Sequence, residues 1–279
     1  MYLRDSTGQI DPQAWNAAKW NGQRWELRRI PFIGPCSAVL YPPLKAIWAF
    51  SATNILVTNG GSIVRYDGAN ATMDCGMNAL LDGAINKIWA SAPQDVYVVG
   101  NVGTIVHYNG GTWQRVESGT TLPIVDVHGA RNAYGQYEIL AVADGYGHPE
   151  GSYVLSIENN VVHSLWNDPR PYGLDKIWFV PGRQYIVVGS GVWRTYCTRS
   201  SWTMVGGLPP IHNTCIRGEA LNDFFVGGAF WNFLHFNGVS WQSYFPLTSG
   251  AFGSVAMKGT LVIACGYVDN KAVIAWGTR

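Results

Sequence analysis

Between residues 84 and 117 the chain reads AINKIWASAPQDVYVVGNVGTIVHYNGGTWQRVE. Apolar and polar residues alternate in short runs, and Gly, Asn, Asp or Pro stands at each end. That pattern predicts four short antiparallel strands in succession: INKIWAS, DVYVVG, TIVHYNG and GTWQRVE. The same unit recurs along the chain. Trp20-Asn21-Gly22, Tyr66-Asp67-Gly68 and Phe236-Asn237-Gly238 restate Tyr108-Asn109-Gly110, while Trp25 and Trp241 restate Trp113. A four-stranded unit of about 40 residues, repeated in tandem, is how a β-propeller blade looks in sequence.

Full units are predicted over 44–76, 84–117, 122–166, 174–207 and 212–245. Residues 1–15 read as an irregular lead-in, 16–30 as the back half of a blade and 253–279 as a front half. Because open sheet edges are a liability, the expected architecture is a single all-β domain over 1–279. It has six blades of four antiparallel strands, one of them closed by both termini. The alternative is a seven-bladed propeller, complete or truncated. The 122–166 unit is the most divergent and carries a longer Gly-rich loop from Asp144 to Ser152.

Composition narrows the partners. Charged residues are 13% of the 279 and the formal net charge is +1, with no Lys/Arg run longer than Arg28-Arg29. A nucleic-acid partner is therefore not expected. No apolar run approaches the ~18 residues of a membrane span. The first residues, MYLRDSTGQID, are polar and do not read as a signal peptide.

Five cysteines occur, none in C-x-x-C spacing. Cys265, in TLVIACG, reads as a small core residue. Cys36 and Cys75 lie in loop contexts, either bridged to each other or free.

Candidate chemistry is sparse. None of the six histidines has metal-ligand spacing, and no metal or cofactor is expected. His107 and His235 share a repeat position with Arg65 and Lys19, which reads as the solvent face of a strand. Asp95 and Asp223 read as turn caps before the second strand, and Gly189-Ser190-Gly191 as a strand turn without a nucleophile elbow. No catalytic residue is assigned.

Two sets remain. The first is one repeat position at the end of the innermost strand: Trp48, Trp89, His128, Trp178, Arg217 and Ala256. Converging on the propeller axis, its aromatic and basic side chains would suit a sugar or anionic ligand; the competing reading is packing between blades. The second is the inserted loop with His148 and Glu150, since insertions in repeat proteins often mark the binding face.

The repeat IWASAPQDVYVVGNVGTIVHYNGGTWQRVESGT resembles secreted bacterial propellers related to photosystem II stability-factor and sialidase-like propellers. NAAKWNGQRWELRRIPF, LYPPLKAIWAFS and the ending AVIAWGTR resemble a Bacteroidetes- and Ignavibacteria-type subgroup, over essentially the whole chain. The resemblance implies a bacterial extracellular or cell-surface protein. Some members carry a glucosyltransferase label, which the absence of carboxylates at i, i+2 or a Rossmann-type unit does not support here.

The expected function is a non-catalytic binding or scaffolding propeller that contacts a protein. A glycan-binding propeller is the alternative and a sialidase-like hydrolase or lyase the third reading. The chain is expected as a monomer or as a self-associating protein pairing through edge strands.

Overall fold

The computed structural model describes residues 15–169, 173–244, 249–269 and 271–279. The lead-in up to residue 14 and Phe245, the end of one expected blade, lie outside the described residues. The chain divides into two compact units, Met1–Thr121 and Leu122–Arg279.

Unit one holds two hairpins and two four-stranded sheets. The hairpins are Ala17–Trp20 (β1) with Trp25–Arg28 (β2), and Phe32–Gly34 (β3) with Ser37–Val39 (β4). The first sheet is Ala46–Ser51 (β5), Asn54–Thr58 (β6), Ile63–Tyr66 (β7) and Ala71–Asp74 (β8). The second is Ile85–Ala92 (β9), Asp95–Gly100 (β10), Ile105–Tyr108 (β11) and Trp113–Arg115 (β12). A disulfide joins Cys36, in the β3–β4 turn, to Cys75 just after β8, with Cα atoms 5.9 Å apart.

Unit two holds three four-stranded sheets and one of three strands. The first comprises Ile124–Arg131 (β13), Tyr137–Ala143 (β14), Ser152–Glu158 (β15) and Val161–Asp168 (β16). Next come Leu174–Val180 (β17), Gln184–Gly189 (β18), Gly191–Thr195 (β19) and Thr203–Met204 (β20). Asn213–Ala220 (β21), Asp223–Gly228 (β22), Phe233–Phe236 (β23) and Trp241–Ser243 (β24) form the third. The last is Ala251–Lys258 (β25), Leu261–Val268 (β26) and Lys271–Thr278 (β27). Among the described residues every strand of these sheets pairs antiparallel with a strand next to it in sequence. The fold is an all-β propeller of six blades rather than seven, and its one helical element among the described residues is the short 3-10 turn Asn78–Leu80.

Burial explains the sequence pattern. The second strand of a blade is covered on both faces, so it loses the alternation of a half-exposed strand: β10, DVYVVG, is buried from Val96 to Gly100, and β18, QYIVVG, throughout. Outer strands keep the alternation. The core consists of layers between successive blades. One layer joins Leu56 and Ile63 to Ile85, Val96 and Val98; another joins Leu140 and Val154 to Phe179, Val187 and Trp193.

The repeated Asn/Asp-Gly step is a built turn. Oδ1 of Asn21, Asp67, Asn109 and Asn237 each accepts two backbone N–H groups, from the residues two and three further on, at 2.6–3.0 Å. The following glycines all hold φ between +92° and +102°, the left-handed region a side chain rarely adopts.

One core assignment needs correction. Cys265 is exposed, whereas Cys215 is buried. In β26 the inward positions are Val262 and Ala264, so the two-residue period turns Cys265 outward despite its apolar neighbours.

Candidate functional site

A polar cluster of unit two gathers residues at the ends of β14, β17, β18 and β21. Asp144 follows β14, Asp175 and Lys176 open β17, Ser190 lies between β18 and β19, and His212 precedes β21. A β-bridge between Ser190 and His212 brings the last two together, and the Ala229 N–H donates to the His212 carbonyl at 2.9 Å. His212 Nε2 lies 2.5 Å from Asp175 Oδ2, and its Nδ1 lies 3.3 Å from Ser190 Oγ. The Tyr146 N–H donates to Asp144 Oδ1 at 2.8 Å.

The electrostatics follow from this geometry. The hydrogen bond with Asp175 raises the His212 pKa above its ordinary 6.5, against the opposing effect of burial. Burial raises that of Asp144, helped by the like charge of Asp175. Ser190, His212 and Asp175 occur in the order of an acyl-transfer triad, but the imidazole is reversed, with Nδ1 toward the serine. An imidazole biased toward its protonated form is a poor base for Ser190. The cluster is better suited to presenting a charged hydrogen-bond donor between two carboxylates.

Because the folded-state His212 pKa is raised, the stability it contributes is whole below its unfolded value of 6.5 and is lost as pH rises through the folded value. The expected result is a decline in urea midpoint over about pH 6 to 8 in the native chain, flattened by His212→Gln. Equal slopes in both proteins would refute the assignment.

In the sequence Ser190 reads only as a strand turn, and nothing local connects it with Asp175 and His212. They are separated along the chain by 15 and 22 residues and meet through bridging of successive blades. The one local signal is the interruption of the repeat at Asp144–Ser152. That loop rises beside the cluster. Its base is tied by Gly145 N–H to Ser152 Oγ at 3.0 Å and Gly151 N–H to the His148 carbonyl at 3.1 Å. His148 and Glu150 are both exposed on it; the Glu150 N–H donates to His148 Nδ1 at 3.3 Å, and Asn167 Nδ2 donates to the Glu150 carbonyl at 2.9 Å. Tyr146 is 72% exposed.

The inner-strand residues have different surroundings. In unit one, half-buried Trp48 meets buried Trp89 edge to face at 6.2 Å, and Trp89 lies 6.0 Å from Tyr97. In unit two, Trp178 is buried and stacked on Phe224 of the next blade at 5.4 Å, while His128 meets Phe179 edge-on at 5.5 Å. Arg217 donates to the carbonyls of Ile216 and Ile177 at 2.7 and 3.4 Å. It also lies 3.7 Å from Asp126, which is fully buried and accepts the Ile177 N–H at 3.0 Å. Trp178 and Arg217 thus link neighbouring blades. Ala256 is exposed in β25.

Two further expectations change. His107 and His235 are not on a solvent face: each stacks on an aromatic ring across the strand, Tyr97 at 4.1 Å and Phe225 at 4.2 Å. Asp95 and Asp223 are their partners, at 2.7 and 3.0 Å, rather than turn caps. Position two residues before the ring in β10 or β22 puts the carboxylate within reach of the imidazole opposite. Among the described residues no group of three or more His, Cys, Asp or Glu is placed to hold a metal ion, and no helix is long and apolar enough to cross a membrane.

No family model matches the chain, and no curated protein matches it. Solved structures do. The structure titled "YCF48 bound to D1 peptide" superposes with a TM-score of 0.67 at 16% identity, over 95% of this chain and 88% of that one. An extracellular domain of a hybrid two-component system from B. thetaiotaomicron gives 0.59 at 11%, over 83% of this chain and 33% of that one. An ancestral GH74 enzyme gives 0.58 at 11%, over 82% and 35%. At such identities the likeness is one of fold, and the fold these proteins share with this chain is the β-propeller.

Proposed function

We propose that the chain is a non-catalytic binding propeller that contacts a protein partner through the Asp144–Ser152 loop and the adjoining His212–Asp175 pair. The observation that carries this reading is an exposed loop bearing Tyr146, His148 and Glu150 on a base tied into two strands. Exposed side chains on an ordered base bind with little ordering cost. The neighbour solved with a peptide is consistent with this role, and the extracellular domain among the neighbours is consistent with a bacterial cell-surface or secreted setting.

A second reading is a glycan-binding propeller, for which the half-buried Trp48 beside Trp89 supplies a stacking surface. The two are separated by probing the native chain, Tyr146→Ala/Glu150→Ala and Trp48→Ala on a peptide array and a glycan array. Selective peptide binding, weakened about tenfold or more by the loop variant alone, is the expected result. Selective glycan binding lost in Trp48→Ala would replace it with the second reading.

A further inference from the structure

The loop that carries Tyr146, His148 and Glu150 is joined at its base to the His212 cluster. Its neck admits no side chain: a Cβ at Gly145 would collide with the Gly151 carbonyl, and one at Gly151 with the Asp168 carbonyl. Asp144 and Tyr146 pack on Gly173, where a Cβ would lie 2.7 Å from Asp144 Oδ1 and 3.2 Å from Tyr146 Cβ. The Gly173 carbonyl accepts the Ser190 N–H at 3.2 Å, and Ser190 is the residue bridged to His212. Loop base, Gly173, Ser190 and His212 thus form a continuous set of contacts.

The charges along that set are coupled. Among the described residues, the groups acting on the His212 ring are the Asp175 carboxylate at Nε2, Ser190 Oγ at Nδ1 and Asp144 at the loop base. Lys176 also acts on Asp144, but its Nζ donates to the carbonyls of Val125 and Asp175 at 2.9 and 3.3 Å. The contacts from blade five are neutral: Asn213 Nδ2 donates to the Ile211 carbonyl, and the Ala229 N–H to that of His212. A protonated His212 is therefore a cation shared by two carboxylates. Once it is neutral, Asp144 and Asp175 repel each other in a half-buried site, where like charges are weakly screened. Asp144 is also the residue whose Oδ1 holds the Tyr146 N–H, so its position sets the first turn of the loop.

We propose that His212 is a proton-operated latch for the Asp144–Ser152 loop: with its proton bound the loop base is held closed, and with the proton released the base opens. Proton binding and loop ordering are linked. The His212 pKa is raised by its bond to Asp175, so the closed form prevails below the folded His212 value and is lost as pH rises through it. The consequence for binding rests on the docking role proposed above: a partner is held at mildly acidic pH and released as pH rises. The latch itself needs no partner, so either reading can fail without the other.

Hydrogen–deuterium exchange of the full chain tests the latch. With rates corrected for their intrinsic pH dependence, the amides of residues 145–152 are expected to be about tenfold more protected at about pH 6 than at about pH 8.5. His212→Gln, neutral at both, should show the weaker protection throughout. Asp144→Asn keeps an acceptor for the Tyr146 N–H and leaves His212 titratable, yet should abolish the pH dependence. Low urea, which speeds exchange through global unfolding, should leave the loop rates unchanged. Loop protection indifferent to pH in the native chain overturns the proposal. So does a pH dependence that survives in either variant, or loop exchange that accelerates with urea, since the opening would then be global.

Discussion

Replacing Cys36 and Cys75 together by serine is expected to lower the stability of the native fold by about 4 kcal/mol. The bridge closes a loop with a sequence separation of 39, and chain-entropy arguments give that magnitude for a loop of this length. What the bridge holds is otherwise weakly attached. The β3–β4 hairpin has three residues in each strand, with Phe32 its one fully buried side chain, packed beside Val57, Val64 and Tyr66. Ile33 and Val39 are exposed, so little apolar area retains the hairpin once the covalent link is gone. For a chain of this size the loss corresponds to a fall in melting temperature of roughly 10 °C by circular dichroism. The native chain under a strong reductant should melt with the double variant. Coincident melting of the oxidised native chain and the variant would show that the bridge adds nothing.

The second large effect is expected at Trp202. Truncation to alanine should cost about 3–5 kcal/mol, the range for a buried large aromatic. Trp202 is 7% exposed and stacks on Trp166, which in turn lies 5.9 Å from Trp193, so its removal opens the layer between two blades. The β20 strand beside it is only Thr203–Met204 and both residues are exposed, leaving the indole as the main anchor of that edge. Its Nε1–H is buried with no acceptor among the described residues. Trp202→Phe should therefore cost much less than the alanine change, because it keeps most of the ring and deletes an unsatisfied donor. Chemical unfolding of the two variants measures this directly. Equal losses would mean that the indole nitrogen has a partner or that ring size alone decides.

The propeller was legible in the sequence because its turns are written locally. Four copies of an aromatic-Asn/Asp-Gly step set the third hairpin, and the side-chain oxygen that fixes each turn belongs to the residue that signals it. Buried second strands were legible too, as apolar runs between Asp or Gln and Gly. What alternation does not reveal is which face of a fully apolar run points inward, which is why Cys265 misled. Nor does it show which polar groups meet across strands. His107 with Asp95, and Ser190 with His212 and Asp175, become neighbours only through register and bridging. The inner-strand tryptophans carried both a ligand reading and a packing reading. Trp178 packs on Phe224, a partner 46 positions away that no local pattern designates.

The Asn-Gly turns also set how the molecule ages. Asn21, Asn109 and Asn237 each precede a glycine, the neighbour that least obstructs attack of the following backbone nitrogen on the side-chain amide. The resulting succinimide opens either to aspartate or to isoaspartate. Aspartate is tolerable at these positions, since Asp67 holds the same turn with the same two acceptor contacts. Isoaspartate is not, because it inserts a methylene into the backbone between strands whose register pairs Tyr108 with Trp113 and Phe236 with Trp241. The motif that makes each blade easy to recognise is thus also its chemical clock, and the β5–β8 blade, whose turn is built on Asp67, already carries the version with no side-chain amide to lose.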